Sequence, residues 1–200
     1  PAYDVHGEIA RVRAGLEAGK YANEYSWQAD FYKSVFGPAH DGHFVVYPDV
    51  LSNAMEWGRA HALVSISEDG TSAPVIKLYE DVMSSPETAS VLTLINGVDA
   101  ATYIADWIYQ ASANQDADSA YNSMFYQKSF AVNGGTGFFK QGGRIRYIYP
   151  GEKTTFTFAN GTEFEADNVA RLKGSWTGVT DGESFFKTFA PGAVASQPKA

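Results

Sequence analysis

The spacing of apolar residues predicts two helices at the start of the chain. Between residues 3 and 16, apolar side chains recur at helical spacing, and Gly19 follows where a C-terminal cap would lie. A second helix is predicted over about 26–35, with Ser26 as its N-cap and Gly37-Pro38 as its end. The first third of the chain is therefore expected to be mainly helical.

Beyond residue 40 the pattern changes to that of short strands. The apolar run FVVY at 44–47 predicts a strand with His43 at its mouth. Three further strands are predicted by ALVSISED, PVIKLYED and VLTLI, and Asp99 is placed to cap the helix AATYIADWIYQ that follows. Strand, Asn-Gly turn and helix in this order are typical of PDZ-like peptide-binding modules.

The last third of the chain reads mainly as β-structure. Residues 116–129 predict a short helix, the glycine-rich residues 133–143 a flexible loop, and RIRYIYP a strand. The segment 154–167 alternates on both sides of Asn160-Gly161, which predicts a hairpin. We therefore expect an α+β fold.

Asn160 allows two interpretations. With Gly161 it forms a tight-turn dipeptide whose residues tolerate positive φ angles. With Thr162 it completes an N-glycosylation sequon, which matters only if the chain enters a secretory pathway. The turn alone accounts for both Asn160 and Gly161, so we favour it.

Composition excludes several classes of function. The 200 residues are 44% hydrophobic, enough for a sizeable core, and the net charge of −8 with scattered lysine and arginine disfavours nucleic acid as a partner. No apolar run reaches the roughly 18 to 20 residues of a membrane span. The absence of cysteine excludes disulfides, thiolate nucleophiles and cysteine-ligated zinc.

Metal, phosphate and hydrolase motifs are absent from the sequence. His40, Asp41 and His43 are the only local candidates for metal ligands, but their Gly-rich loop is not preorganised for zinc. HExxH, GxxxxGK[ST], GxGxxG and GxSxG do not occur. We expect no metal and no cofactor, and structural roles for His6 and His61.

His43 is the candidate for chemistry. A general base needs an imidazole that titrates near neutrality, is held in one tautomer and is aimed at a nucleophile. Asp41 would shape the turn, and Gly42 would allow a partner chain to approach. A histidine alone in a loop is nonetheless more often structural or solvated, and His40 is the second candidate.

The helix after Asp99 allows two roles for its apolar face. Ile104, Trp107 and Ile108 would line a pocket for an apolar side chain of an extended peptide that adds to a strand edge. The same three residues would instead fill the core of a module that binds no peptide. We favour the second role, because an apolar helix face is first a packing surface.

A resemblance to a known family covers nearly the whole chain. Its motifs include YxNEYSWQADFYKSVFGPAHDGHFVVYPDVL, RAHALVSISEDGTSAPVIKLYEDV, LINGVDAATYI, DADSAYNSMF, YIYPGEKTTFTFANGT and GVTDGESFF, in this order. The chain resembles the N-terminal half of fungal secreted members of the tail-specific (C-terminal-processing) serine protease family, which are similar to the chlamydial protease-like activity factor. In that branch the Asp-Gly-His histidine is the general base, and the match falls on His43. Other branches use a Ser-Lys dyad, which would leave His43 idle.

The resemblance also implies what lies outside this chain. A PDZ-like domain follows the histidine, whereas the nucleophilic serine and a supporting glutamate belong to the C-terminal half. This chain alone is therefore expected to be inactive. The implied parts are an N-terminal segment with the histidine (1–60), a PDZ-like module (61–130), a β-rich segment of the protease core (131–190) and a cleaved linker (191–200).

The expected assembly has two fragments. The start at Pro1 without Met and the small polar residues after Ala190 favour proteolytic processing of a secreted precursor. Strands near the end of the chain would extend the sheet of the C-terminal fragment, burying more than about 2,000 Å² in total. Aromatic residues that need burial support this expectation: Trp176, Phe185, Phe186 and Phe189.

Two alternatives remain open. In the first, the fragment folds compactly alone and buries these aromatic residues against its own module. In the second, the chain is a non-catalytic peptide- or ligand-binding protein (a pseudo-protease) built on the same scaffold.

Overall fold

The computed structural model describes residues 3–189, and the linker expected at 191–200 lies outside them. The α-helices are α1 (Val5–Glu17), α2 (Glu24–Phe31), α3 (Tyr79–Ser84), α4 (Ala100–Ala111), α5 (Ala117–Ser123), α6 (Lys128–Ala131), α7 (Phe138–Gln141) and α8 (Gly182–Phe189). Short π-helical turns cover Tyr32–Phe36 and Val50–Ala54, and a 3₁₀ turn covers Gly37–Ala39. The strands are β1 (Met55–Gly58), β2 (Leu63–Ile66), β3 (Val75–Leu78), β4 (Leu92–Ile95), β5 (Val98–Asp99), β6 (Lys153–Phe158), β7 (Glu163–Asp167) and β8 (Val169–Leu172).

The chain folds into two compact units. Within the described residues, one comprises 3–39, 44–56 and 170–189, and the other comprises 40–43 and 57–169. Strands β1 and β8 form a two-stranded sheet, as do β2 and β3, and a four-stranded sheet has the order β5-β4-β6-β7. The mixture of helices and sheets agrees with the α+β class expected from the sequence.

Both helices expected at the start of the chain are present in the first unit. Gly19 has a φ of +64° just beyond α1, in the left-handed region that glycine adopts at helix ends. Helix α2 begins two residues before Ser26, because Asn23 is its N-cap. The Ser26 backbone N–H donates to Asn23, and the Asn23 N–H donates to the Ser26 hydroxyl, which forms a capping box.

The strand predicted at 44–47 is wrong. These residues have no regular structure, since no neighbouring strand supplies a hydrogen-bonded ladder. Phe44 instead lies 4.9 Å from the ring of Phe36, and the side chain of Tyr47 is exposed. The apolar run therefore contributes side-chain packing.

The aromatic residues near the end of the chain pack within the first unit. Residues 182–189 form helix α8, with Phe189 buried and Phe185 partly buried beside Trp176. The Trp176 indole N–H donates to the carbonyl of Ala54 at 3.2 Å. Only Phe186 of the four is exposed, so most of the aromatic surface that was expected to need a partner is covered internally.

The core of the second unit lies between helix α4 and the four-stranded sheet. Ile95, Ile104 and Phe156 are almost completely inaccessible to solvent. The hairpin around Asn160-Gly161 is confirmed, with Phe156 opposite Phe164. Because β6 also pairs with β4, this hairpin shares one sheet with the predicted module of residues 61–130 and extends that module beyond residue 130.

Two predictions for residues 133–150 are wrong. The glycine-rich residues are not simply a flexible loop, because α7 forms within them and its Phe139 is fully buried. RIRYIYP is not a strand, because Gly142, Gly143 and Arg146 have positive φ angles that interrupt an extended backbone. The helix predicted at 116–129 is present as two shorter helices, α5 and α6.

Candidate active site

His43 lies in an irregular loop of residues 40–43 and points into solvent. Its side-chain accessibility is 103% of the reference value, so no described residue covers the imidazole. The Nδ1 atom lies 3.6 Å from Oδ1 of Asp41, beyond hydrogen-bonding distance. The imidazole is thus free to meet a group brought from outside the described chain.

Asp41 and Gly42 shape the backbone that carries His43. The N–H of His43 donates to Oδ1 of Asp41 at 2.6 Å, which closes a turn typical of aspartate. The carbonyl of Gly42 accepts a 2.6 Å hydrogen bond from Nη2 of Arg144, a residue 102 positions away. Asp41 therefore closes the turn, and Arg144 holds it from a distant part of the chain.

His40, the second candidate, has a different environment. Its backbone lies in the left-handed region, with a φ of +46°. Its ring contacts the Tyr109 ring edge-on at 5.2 Å, and its Nδ1 atom is buried without a hydrogen-bond partner among the described residues. This histidine packs against helix α4, whereas His43 is presented to solvent.

The other two histidines, His6 and His61, have different surroundings. His6 is exposed on α1. His61 packs edge-on against Phe164, and its Nδ1 atom lies 3.6 Å from Oε2 of Glu80, whose Oε1 atom accepts from Lys140. No local pattern in the sequence indicates this His61–Glu80–Lys140 cluster, because its members are separated by up to 79 positions.

The described residues contain no group of three or more His, Asp or Glu side chains that could hold a metal ion. None of the helices within residues 3–189 is both long and apolar enough to cross a membrane. The candidate site is therefore one imidazole on a fixed loop.

Helix α4 uses the predicted peptide-pocket residues for packing. Ile104 and Ile108 are buried in the core of the second unit. Trp107 is partly buried, and its ring lies 3.9 Å from the guanidinium of Arg59. Asp99 caps the helix as predicted, accepting from the N–H of Thr102. The apolar face thus packs inward, which is the role that we favoured.

Asn160 lies at the exposed tip of the β6–β7 hairpin. Gly161 has a φ of +83°, whereas Asn160 is not in the left-handed region, so only one of the two turn residues needs a positive φ. The Asn160 side-chain oxygen accepts from both the backbone N–H and the hydroxyl of Thr162. The asparagine therefore stabilises the turn and also remains accessible.

Comparison with known proteins identifies the second unit. A family model described as a CPAF-like PDZ domain matches residues 56–177, more than half of the chain. Two proteins of Diaporthe leptostromiformis are similar over 94% of the chain: the peptidase S41 family proteins phomP1′ (26% identical) and phomP1 (25% identical). The aligned region spans only 29% of each of these relatives, and no solved structure matches the chain.

These findings confirm the resemblance drawn from the sequence motifs. The matched range covers strands β2 to β7 and helix α4, which carry the PDZ-like order of elements. The relatives are peptidase S41 proteins from a fungus. The chain belongs to the CPAF-like PDZ domain family and is a protease-related, S41-like polypeptide.

Proposed function

We propose that this chain supplies the general-base histidine, His43, to a serine endopeptidase whose nucleophile lies in a C-terminal part of the same precursor. The observation that carries the proposal is the complete exposure of the His43 imidazole on a loop with a fixed backbone. The length of the relatives supports it, because the aligned region is less than a third of each.

The proposed chemistry follows from the two imidazole nitrogens. Nε2, the ring nitrogen farther from the backbone, accepts the proton of a serine hydroxyl as its oxygen attacks the substrate carbonyl, while Nδ1 keeps its own proton. The proton then passes to the leaving amine as the peptide bond breaks, and water releases the acyl group in a second cycle. At 3.6 Å, Asp41 does not relay protons, so the carboxylate that orients the imidazole comes from the C-terminal part.

Covalent labelling of the serine tests this function. The full-length precursor is expressed, and the intact masses of its fragments are measured by mass spectrometry before and after treatment with a fluorophosphonate probe. We expect the probe on a companion fragment, at a rate that falls strongly in His43→Ala and stays near normal in His40→Ala. Labelling that is indifferent to His43→Ala would contradict the assignment.

A second candidate function is a non-catalytic peptide- or ligand-binding protein. The observation that favours it is that the matched PDZ-like region lies within this chain, so binding would need no second fragment. A single 21.7 kDa species that takes up no probe and binds peptides would support this alternative. Since Ile104 and Ile108 are buried, the peptide would add to a strand edge and not contact these side chains.

We further propose an obligate heterodimer with the C-terminal fragment. Leu172 and Phe186, in the first unit, are both more than half exposed, which leaves apolar surface for a partner. Trp176, Phe185 and Phe189 no longer support this step, since they pack internally. Light scattering after size-exclusion chromatography tests it: a well-dispersed monomer of this chain alone that binds no 1-anilinonaphthalene-8-sulfonate would refute the heterodimer.

We also propose that the protein is secreted, as the family resemblance implies. The exposed Asn160 then provides a sequon that the secretory pathway can glycosylate. Expression in a fungal host, with the mass of the medium fraction compared between the natural chain and Asn160→Gln, tests both points. Retention in the cell, or equal glycan mass in both proteins, would contradict them.

A further inference from the structure

We infer that Arg144 is a positioning residue for His43, and this inference rests on the function proposed above. Its guanidinium reaches the His43 loop from a segment that is 102 residues later in the sequence. Both residues belong to the same compact unit. Arg144 acts on the backbone of the loop and does not touch the reacting atoms.

The contact fixes the peptide group immediately before His43. The carbonyl oxygen of Gly42 is held by Nη2 of Arg144, and the N–H of His43 is held by Oδ1 of Asp41, each at 2.6 Å. These two atoms are opposite ends of one planar peptide unit. Holding both ends fixes the peptide plane, and with it the position of the His43 Cα atom from which the side chain extends.

Arg144 is well placed for this role because its own backbone is anchored. Its N–H donates to the carbonyl of Ala111, the last residue of α4, at 2.7 Å. Gly143 has a φ of +89°, which favours glycine, and a Cβ there would lie 3.2 Å from the Ala111 Cα atom, a tight contact. The same helix contributes Tyr109, against which His40 packs.

The loop therefore depends on one charged side chain at its centre. Without Arg144, the Gly42 carbonyl is exposed and can rotate, since Asp41 then holds only one end of the peptide unit. A displacement of about 1 Å of a catalytic group can lower a rate about 100-fold. Substrate binding elsewhere on the protein is not expected to change.

The experiment uses the full-length precursor and compares Arg144→Met and Arg144→Lys with the natural protein. Arg13→Met is the control, because Arg13 is a strongly exposed arginine that forms an ion pair with Glu17 on the same helix. We expect kcat to fall about 10- to 100-fold in Arg144→Met with KM within about twofold. Arg144→Lys should recover part of the loss, because it keeps a charged donor but not the planar fork.

Chemical rescue separates positioning from general stability. In Arg144→Ala, millimolar methylguanidinium should restore part of kcat by occupying the vacated space beside Gly42, and it should leave the kcat of Arg13→Ala and of His43→Ala unchanged. An unchanged kcat in Arg144→Met would overturn the inference. A loss of kcat that follows a loss of folded protein, with no recovery by lysine or methylguanidinium, would overturn it as well.

The same assays test the general-base role of His43 and the positioning role of Arg144 separately. If His43→Ala keeps normal turnover, the proposed function fails. If His43→Ala abolishes turnover while Arg144→Met is normal, the proposed function stands and only the positioning role of Arg144 fails.

Discussion

Arg59 is a buried cation that the second unit holds without a carboxylate. Its side chain is 1% exposed, and burial lowers the pKa of the guanidinium to about 10. The guanidinium carbon lies 3.9 Å from the ring of Trp107 and 4.2 Å from that of Phe139. Its nitrogens donate to the carbonyl of Phe139 and the hydroxyl of Tyr103, each at 2.9 Å. Two aromatic faces and two hydrogen bonds thus replace an ion pair.

Replacement of Arg59 by lysine tests this account of the core. A single ammonium cannot reach both acceptors in the geometry of the planar guanidinium, so one charge-assisted hydrogen bond is lost, at about 1.5–3 kcal/mol. It also cannot stack flat between two rings, which removes about 1 kcal/mol more. We therefore expect the free energy of unfolding to fall by about 3 kcal/mol in Arg59→Lys.

Urea denaturation of the full-length precursor, followed by tryptophan fluorescence, measures this change. With a denaturant slope of about 2–3 kcal/mol per molar, the midpoint should fall by about 1–1.5 M. Arg13→Lys is the matched control, because its ion pair with Glu17 is exposed and should change stability by less than about 0.5 kcal/mol. A shift in Arg59→Lys no larger than that of the control would refute the reasoning.

Two further predictions concern stability. In Gly137→Ala, the new Cβ would lie 2.5 Å from the Phe125 carbonyl carbon at a φ of +86°, so the melting temperature should fall by several degrees. The control is Gly161→Ala, whose Cβ would meet no atom within 4 Å, and its melting temperature should fall much less. The hydrogen bond from Arg11 lowers the pKa of Asp30 well below its ordinary range, so the stability that Asp30 contributes is present above about pH 4 and is lost as the pH falls below it. Asp30→Asn should therefore flatten the decline of the urea midpoint between pH 4 and pH 2.5, and an unchanged decline would contradict this.

Local signals in the sequence predicted the elements that depend on local chemistry. Asp99 caps α4 and Asn160-Gly161 closes the β6–β7 hairpin, because in both cases the atoms that bond are within a few residues. The N-cap of α2, Asn23, was missed by three positions because both Asn23 and Ser26 can act as caps. These features are predictable from short sequence motifs because they need no contact with a distant residue.

Distant contacts decided the features that the sequence did not predict. FVVY and RIRYIYP have strand-like composition, but strands form only where a neighbouring ladder is available. Phe139 is buried within a glycine-rich segment because it packs into a core formed by residues that are distant in the sequence. The contact between Arg144 and Gly42 joins residues 102 apart, and no local pattern in either segment indicates it.

The most direct test of the central claim is the rate of peptide hydrolysis by the full-length precursor carrying His43→Ala. We predict that turnover falls by about 10⁴-fold or more while the protein remains folded, because loss of one member of such a constellation removes proton transfer from the nucleophile. His40→Ala should retain most of its turnover. Near-normal hydrolysis by His43→Ala would contradict the role assigned to His43, whether or not His40→Ala loses hydrolysis.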